Sequence, residues 1–437
     1  MITVLAHGFG GRVDLPVPRS LFVFGAATAL VVSFVALSVL WREPRLEDGG
    51  RTRTVHGLRR LLTSPVVEWT VRAVALAVFA VVTVAAFVRL EATATIAPVF
   101  VFDWFWVGLA FAHALFGNLW ATLSPFDTLG RLLLLDEPDH RPPFAYPKAW
   151  GRWPAAILLF GFVWLELANP FANVPGALGY LMVGYTFLNV GAMYLFGRKA
   201  WVENGEAFAV YFGLLARLSP FARDGEGRVV LRAPLAGLTS LEPRPGLLAV
   251  ILVALGSTTF DGLSRTTLWV SRASSFTGWQ RVTLDTVAML GVILLMAGAY
   301  ALAMVAAGRI VDGHWHPVAT RFAHSLVPIV FAYLVAHYFS FLLIEGQVGL
   351  SRISDPLGRG WDLFGTAGWT VNLALLSATL IWYVQVAAIV LGHVGGVVLA
   401  HDRAISWFDA RHALRTQYAL LAVMVLFTSA GLLILSG

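Results

Sequence analysis

Residues Val287 to Ala307 read VAMLGVILLMAGAYALAMVAA, 21 positions without one charged or amide side chain. A bilayer core of about 30 Å needs about 20 apolar residues in a helix that rises 1.5 Å per residue. The run therefore predicts a membrane-spanning helix. Outward from it, similar runs recur at 21–41, 68–88, 98–118, 153–168, 176–196, 247–263, 322–343, 370–399 and 416–436. The expected fold class is all-α: a polytopic transmembrane helical bundle of about ten spans, forming a single integral membrane domain over 1–437. One further apolar stretch, Ala207 to Leu218, is too short to cross. Phe208, Tyr211, Leu214, Leu215 and Leu218 fall at helical spacing and Arg217 follows, which predicts an interfacial amphipathic helix.

Composition agrees. Of 437 residues, 58% are hydrophobic and 13% charged, against about 25% charged in a soluble domain. The formal charge of +6 is spread as Arg between apolar runs rather than gathered in one block, so no nucleic-acid partner is implied. The chain has no cysteine, which excludes disulfides, thiolate metal sites and cysteine nucleophiles. The partner that composition does imply is the lipid bilayer.

Direction follows from counting Lys and Arg on each side, because basic residues concentrate in cytoplasmic loops. With ten spans and both termini outside, 22 of the 31 basic residues fall inside and 8 outside, with Arg72 left within the second span. If 207–218 crossed as well, the split would shrink to 17 against 13. The first 20 residues lack an apolar core and read as a short external arm rather than a signal peptide. Gly176, Gly179 and Gly184 in the fifth span, and Gly392 and Gly396 before the last, are expected to let helix backbones approach.

An ionisable group inside a span is costly unless paired or hydrated, so each such residue is a candidate. By the predicted directions Asp103, Asp261 and His337 lie in the outer half, where Glu345 and the external His7 and Asp14 are able to join them. His113, His324, His393 and His401 lie toward the inner face. His324 and His337, 13 residues apart on one helix, are separated by roughly 20 Å and cannot share a metal. The outer set, Asp103, Asp261 and His337 with His7 as a fourth donor, is a mixed oxygen and nitrogen set suited to a divalent metal ion and its bound water. His324, His393 and His401 form a weaker inner candidate set. The competing reading of both sets is hydrogen bonding between helices. The pair His314 and His316 reads as a loop feature, and the stretch from Ala400 to Ala404 as the start of a cytoplasmic amphipathic segment with Arg403, Arg411 and Arg415 facing headgroups. Zinc-protease helices, nucleophile elbows, phosphate loops and dinucleotide fingerprints are absent from the sequence.

Several stretches together carry a resemblance: His7-Gly8-Phe9-Gly10-Gly11-Arg12 with Asp14-Leu15-Pro16, Glu206 to Leu214, Phe322 to Pro328 running on to Ala336-His337-Tyr338-Phe339-Ser340, and Gly392-His393 with Ala400 to Ala404. Over nearly its full length the chain resembles the polytopic, largely actinobacterial membrane proteins labelled fenitrothion hydrolase. The resemblance implies a bacterial plasma-membrane location and hydrolysis of an organophosphorus triester to a nitrophenol and a dialkyl thiophosphate. It carries over no catalytic residues. Three functions stay open: a metal-assisted hydrolase acting on a lipophilic small-molecule substrate, a transporter for a metal ion or small solute, and a membrane assembly protein without catalysis.

Overall fold

A computed structural model of the chain describes residues 18–47, 52–54, 64–88, 95–136, 138–169, 176–224, 228–311 and 315–435. Among these residues nine helices are long and apolar enough to cross a membrane: Ser20–Leu40, Pro65–Phe87, Val99–Phe116, Ala177–Phe196, Leu247–Ser264, Gly278–Ile310, Val318–Arg352, Ala378–Trp407 and Arg411–Ile434. The expected helical, multi-pass character is present, with two differences in detail. The run at 153–168 forms Trp153–Leu167, only 15 residues, or about 22 Å, which falls short of a bilayer core. The run at 370–399 becomes helical only at Ala378, where the Ser377 hydroxyl accepts the Leu380 N–H at 3.2 Å, and then continues to Trp407. Three short strands, Arg53–Thr54, Phe221–Arg223 and Val229–Leu231, pair antiparallel with the last in the middle.

By internal contacts the chain divides into two compact units. The first comprises Met1–Thr52, Arg232–Ser340 and Leu376–Gly437. In it Ala26, Ala336, Ile389 and Leu432 form a buried cluster. Small residues decide how closely its helices approach. A Cβ on Gly392 would stand 2.2 Å from the Ala332 Cβ and 2.8 Å from the Pro328 carbonyl oxygen, and one on Gly396 would stand 2.8 Å from the Ser325 carbonyl oxygen. Both glycines therefore do what their spacing suggested.

The second unit comprises Arg53–Leu231 and Phe341–Leu375. Here Gly179 lies against the Phe87 ring, whereas Gly176 and Gly184 face open space, so only one of the three glycines expected to serve packing does so. Arg72 is 1% exposed and is served entirely by protein. It donates to Glu68 at 3.0 Å, to Asp127 at 2.9 Å and to the Ala121 carbonyl at 2.8 Å. Asp127 also accepts from Arg131 at 3.1 Å and from Arg198. A charge that would be prohibitive in lipid is thus carried inside the protein with its counter-ions.

The segment expected at the interface forms the helix Ala207–Leu215. Its start is fixed by Glu206, whose carboxylate accepts the Phe208 and Ala209 N–H groups and, from other elements of the unit, the Tyr185 hydroxyl at 2.7 Å and the Trp120 indole at 2.9 Å. Phe208, Tyr211, Phe212, Leu214 and Leu215 are all buried. The apolar side chains of this helix therefore meet protein and leave no broad exposed apolar face.

These packing differences are testable. Gly184→Ala should be neutral or stabilising by up to about 1 kcal/mol, the helix-propensity gain of alanine. Gly392→Ala should instead lower stability by about 1–3 kcal/mol through overpacking. Thermal unfolding of the detergent-solubilised chain compares them, and equal effects would contradict the close approach at Gly392.

Candidate functional site

Asp261 occupies the last turn of Leu247–Ser264, an apolar helix largely buried in the first unit. Its carboxylate is 0% exposed. His337 and Tyr338 are successive residues of the Val327–Ile344 helix. Successive helical positions project about 100° apart, and here both side chains reach the same oxygen. His337 Nε2 lies 2.8 Å and the Tyr338 hydroxyl 2.9 Å from Asp261 Oδ2, while Arg265 Nη2 lies 3.4 Å from Oδ1.

The acceptor decides the histidine tautomer. A carboxylate oxygen requires the proton on Nε2, which leaves Nδ1 with its lone pair when the ring is neutral. Gly262 lies beside that nitrogen: a Cβ there would meet Nδ1 at 3.9 Å, an ordinary contact, and crowd the Ile434 methyl at 3.0 Å. Thr258, Thr259, Gly262, Tyr333, Ala336, His337, Ile389, Gly431 and Ile434 line a small cleft at this place. It is about large enough for a water molecule. An oriented imidazole facing a water-sized space is the arrangement of a general base, with the carboxylate fixing the ring and stabilising it once protonated.

The other expected outer residues stand apart from this description. Asp103 lies in the second unit, on a π-helix over Val99–Gly108. It is 6% exposed, and Glu345 of the same unit acts on it electrostatically. Trp104 donates to the Gly346 carbonyl at 3.0 Å, next to Glu345 in sequence, which secures the π-helix to the Gly346–Arg352 helix. His7 and Asp14 lie outside the described residues, as does His314.

The histidines expected toward the inner face serve their own surroundings. His113 places Nδ1 2.6 Å from the Leu109 carbonyl, accepts the Trp120 N–H at Nε2 at 2.8 Å and stacks on Phe212. It is fully used in bending the chain around Gly117. His324 places Nδ1 2.9 Å from the Arg321 carbonyl, and His393 places Nδ1 2.8 Å from the Ile389 carbonyl. His401 has Nε2 3.0 Å from the Trp41 carbonyl and Nδ1 3.2 Å from Gln417 Oε1. Among the described residues no three His, Asp or Glu side chains gather to hold a metal ion.

Sequence reasoning missed Asp402 and misjudged Arg403. Both are buried within Ala378–Trp407, where a cytoplasmic amphipathic segment was expected. Asp402 accepts four donors: the Trp41 indole at 2.8 Å and the N–H groups of Arg45 at 2.7 Å, Leu46 at 3.1 Å and Glu47 at 3.1 Å. Arg403 bonds to Glu47 and to the Thr239 carbonyl at 2.7 Å, so it turns into the protein. Arg411 and Arg415 are exposed. The only local hint was an acid and a base side by side at the end of an apolar run; their partners are hundreds of residues distant.

Comparison of the chain with protein-family models, curated proteins and solved structures gave no match. Function therefore rests on the residues themselves. Asp402→Asn should cost on the order of 3 kcal/mol, because hydrogen bonds to a charged group are lost where water cannot replace them. Asp409→Asn, at an exposed helix cap, should cost far less, because asparagine caps a helix about as well as aspartate. Chemical denaturation in detergent measures both, and indistinguishable midpoints would refute the structural role of Asp402.

Proposed function

We propose that this chain is a membrane-embedded hydrolase of lipophilic organophosphorus triesters, with the Asp261–His337 pair as its catalytic base. The observation that carries the reading is one geometry: a buried carboxylate holds His337 by Nε2, and the same imidazole lines a water-sized cleft. The sequence resemblance points to the same chemistry. His337 takes a proton from water at Nδ1 as that water's oxygen bonds to phosphorus. The P–O bond to the aryl group breaks and the nitrophenolate leaves with the electron pair. Asp261 stabilises the imidazolium formed, and the proton then passes to solvent. An uncharged triester partitions into lipid, which suits a site within the helical bundle.

No step here runs through a metal, because Asp261 commits Oδ2 to His337 and Tyr338 and has Arg265 beside Oδ1. A metal-assisted variant needs donors beyond this pair. The alternative function is a proton-coupled transporter. It is favoured by the same pair being a protonatable site within apolar helices, and by His393, whose Nε2 has no hydrogen-bond partner among the described residues. The location proposed is the bacterial plasma membrane, with Trp153–Leu167 crossing as a tenth, short span that local thinning of the bilayer accommodates, both termini outside and 207–218 on the cytoplasmic side.

Release of nitrophenolate from an aryl dialkyl phosphotriester by the full chain in proteoliposomes tests the function. His337→Gln and Asp261→Asn should each lower turnover by about 10²–10⁴, the usual contribution of a general base. His393→Ala should remain largely active. No release by the unaltered chain would sink the hydrolase reading, and proton uptake coupled to solute entry in the same vesicles would put the transporter in its place. Orientation is tested separately. A single cysteine introduced at Arg228 should resist a membrane-impermeant thiol reagent added to intact cells, and ready labelling would overturn the proposed topology.

A further inference from the structure

Residues 353–375 connect, in the chain, the Val318–Arg352 helix to the segment leading into Ala378–Trp407. A connection built from Gly, Asp, Ser and Thr is expected to be polar and hydrated. This one instead presents large apolar side chains outward: Phe364 is 67% exposed, Leu373 60%, and Leu363 and Trp369 59% each, with Trp361 and Leu375 also exposed.

The backbone beneath them is stitched together by the loop's own side chains. Ser354, itself 0% exposed, accepts the N–H groups of Phe364 and Thr366 at 3.1 Å through its hydroxyl and that of Leu363 at 3.0 Å through its carbonyl. Asp355 takes the N–H groups of Arg359 at 2.7 Å and Gly360 at 2.6 Å, and Asp362 takes that of Ala367 at 3.0 Å. Gln347 accepts the Asn372 N–H at 2.9 Å, and Asn372 in turn accepts that of Ala374 at 3.0 Å. Such turns also occur in hydrated loops, where water can satisfy the same N–H groups instead. A loop seated where water is scarce must pair its N–H groups internally. The two carboxylates that would resist such a position are the ones committed to backbone donors.

We propose that 353–375 is an interfacial membrane anchor, with Trp361, Leu363, Phe364, Trp369 and Leu373 inserted at the headgroup and acyl boundary of the adjoining leaflet. The occupant follows from continuity: the segment lies between two membrane-spanning helices in sequence, so both of its ends start at that boundary. Its side chains match as well, because Trp is enriched at the interface and exposed apolar groups insert about 5–10 Å. Arg359, 5.8 Å over the Trp361 ring, supplies a cation at the rim for a lipid phosphate.

The absence of cysteine from the chain makes the test clean. Single-cysteine variants Phe364→Cys, Trp369→Cys and Leu373→Cys of the full chain, labelled with an environment-sensitive fluorophore, are placed in phosphatidylcholine nanodiscs. The expected result is blue-shifted emission at all three positions, several-fold quenching by lipids with a nitroxide near the top of the acyl chain, and protection from aqueous iodide. Water-like emission, quenched by iodide and indifferent to nitroxide lipid, would overturn the anchor and assign the patch to a protein partner. Thr83→Cys, within the Pro65–Phe87 span, reports that the protein is correctly inserted in either case.

Discussion

A carboxylate enclosed among apolar helices must receive its hydrogen-bond donors from the protein, because the bilayer has none to offer. This chain meets that constraint repeatedly, and its local architecture follows from how it does so. Asp402 draws in the Trp41 indole and three successive backbone N–H groups, which fixes the path of 41–47 against Ala378–Trp407. Glu206 ends one turn and starts the next helix while holding Tyr185 and Trp120. Asp127 collects Arg72, Arg131 and Arg198 and so joins three elements of the second unit. Ion pairs of this kind add little net stability over apolar packing, but removing one partner strands the other and costs about 3–5 kcal/mol. They therefore specify which elements meet more than they add to stability.

Apolar packing then works within the limits those contacts set. Helices lacking a strong apolar stripe on one side gain little from the hydrophobic effect in lipid, so close approach and dispersion carry their association. Gly392 and Gly396 let Ala378–Trp407 meet Pro328, Ala332 and Ser325 directly. The Trp104 ring similarly occupies the space over Gly349 that a side chain would fill. In both places the glycine is defined by what lies opposite and not by its own backbone angles.

The sequence made the spans legible because one physical length, the bilayer core, imposes one apolar run length. Boundaries were less legible where apolar residues do other work. Thr370 to Ser377 looks like the opening of a span, yet Asn372 is bound to Gln347 and the helix waits for the Ser377 cap. Trp153–Leu167 has span composition without span length. Burial of Arg403 and Asp402 was hidden because their partners are Glu47, Thr239 and the 41–47 backbone, remote in sequence. The meeting of Asp261 with His337 was legible, since predicted directions placed both in the outer half. Tyr338 was not, although its place directly after His337 allows a shared acceptor. Asp103, assigned to the same half, belongs to the other unit, and span direction alone cannot say which neighbours a residue at a given depth will have.

What separates a working carboxylate from a structural one is the chemistry of its donors. Three of Asp402's four donors are peptide N–H groups and the fourth is an indole, none of which ionises within the physiological range. Asp127 is held by arginines, which remain cationic throughout that range. These two sites are saturated by groups unable to change state, so each has one stable arrangement. Asp261 is different in kind. Its closest donor is an imidazole, whose second nitrogen can take up a proton, and the ring lines a small cleft. His113, His324 and His393, by contrast, each place Nδ1 on a carbonyl of their own chain segment. A proton arriving at His337 Nδ1 would convert the hydrogen bond from a neutral imidazole to the Asp261 carboxylate into an ion pair without moving a helix. That makes this pair, among the buried acids with described partners, the one whose geometry accommodates both states of a proton-transfer cycle.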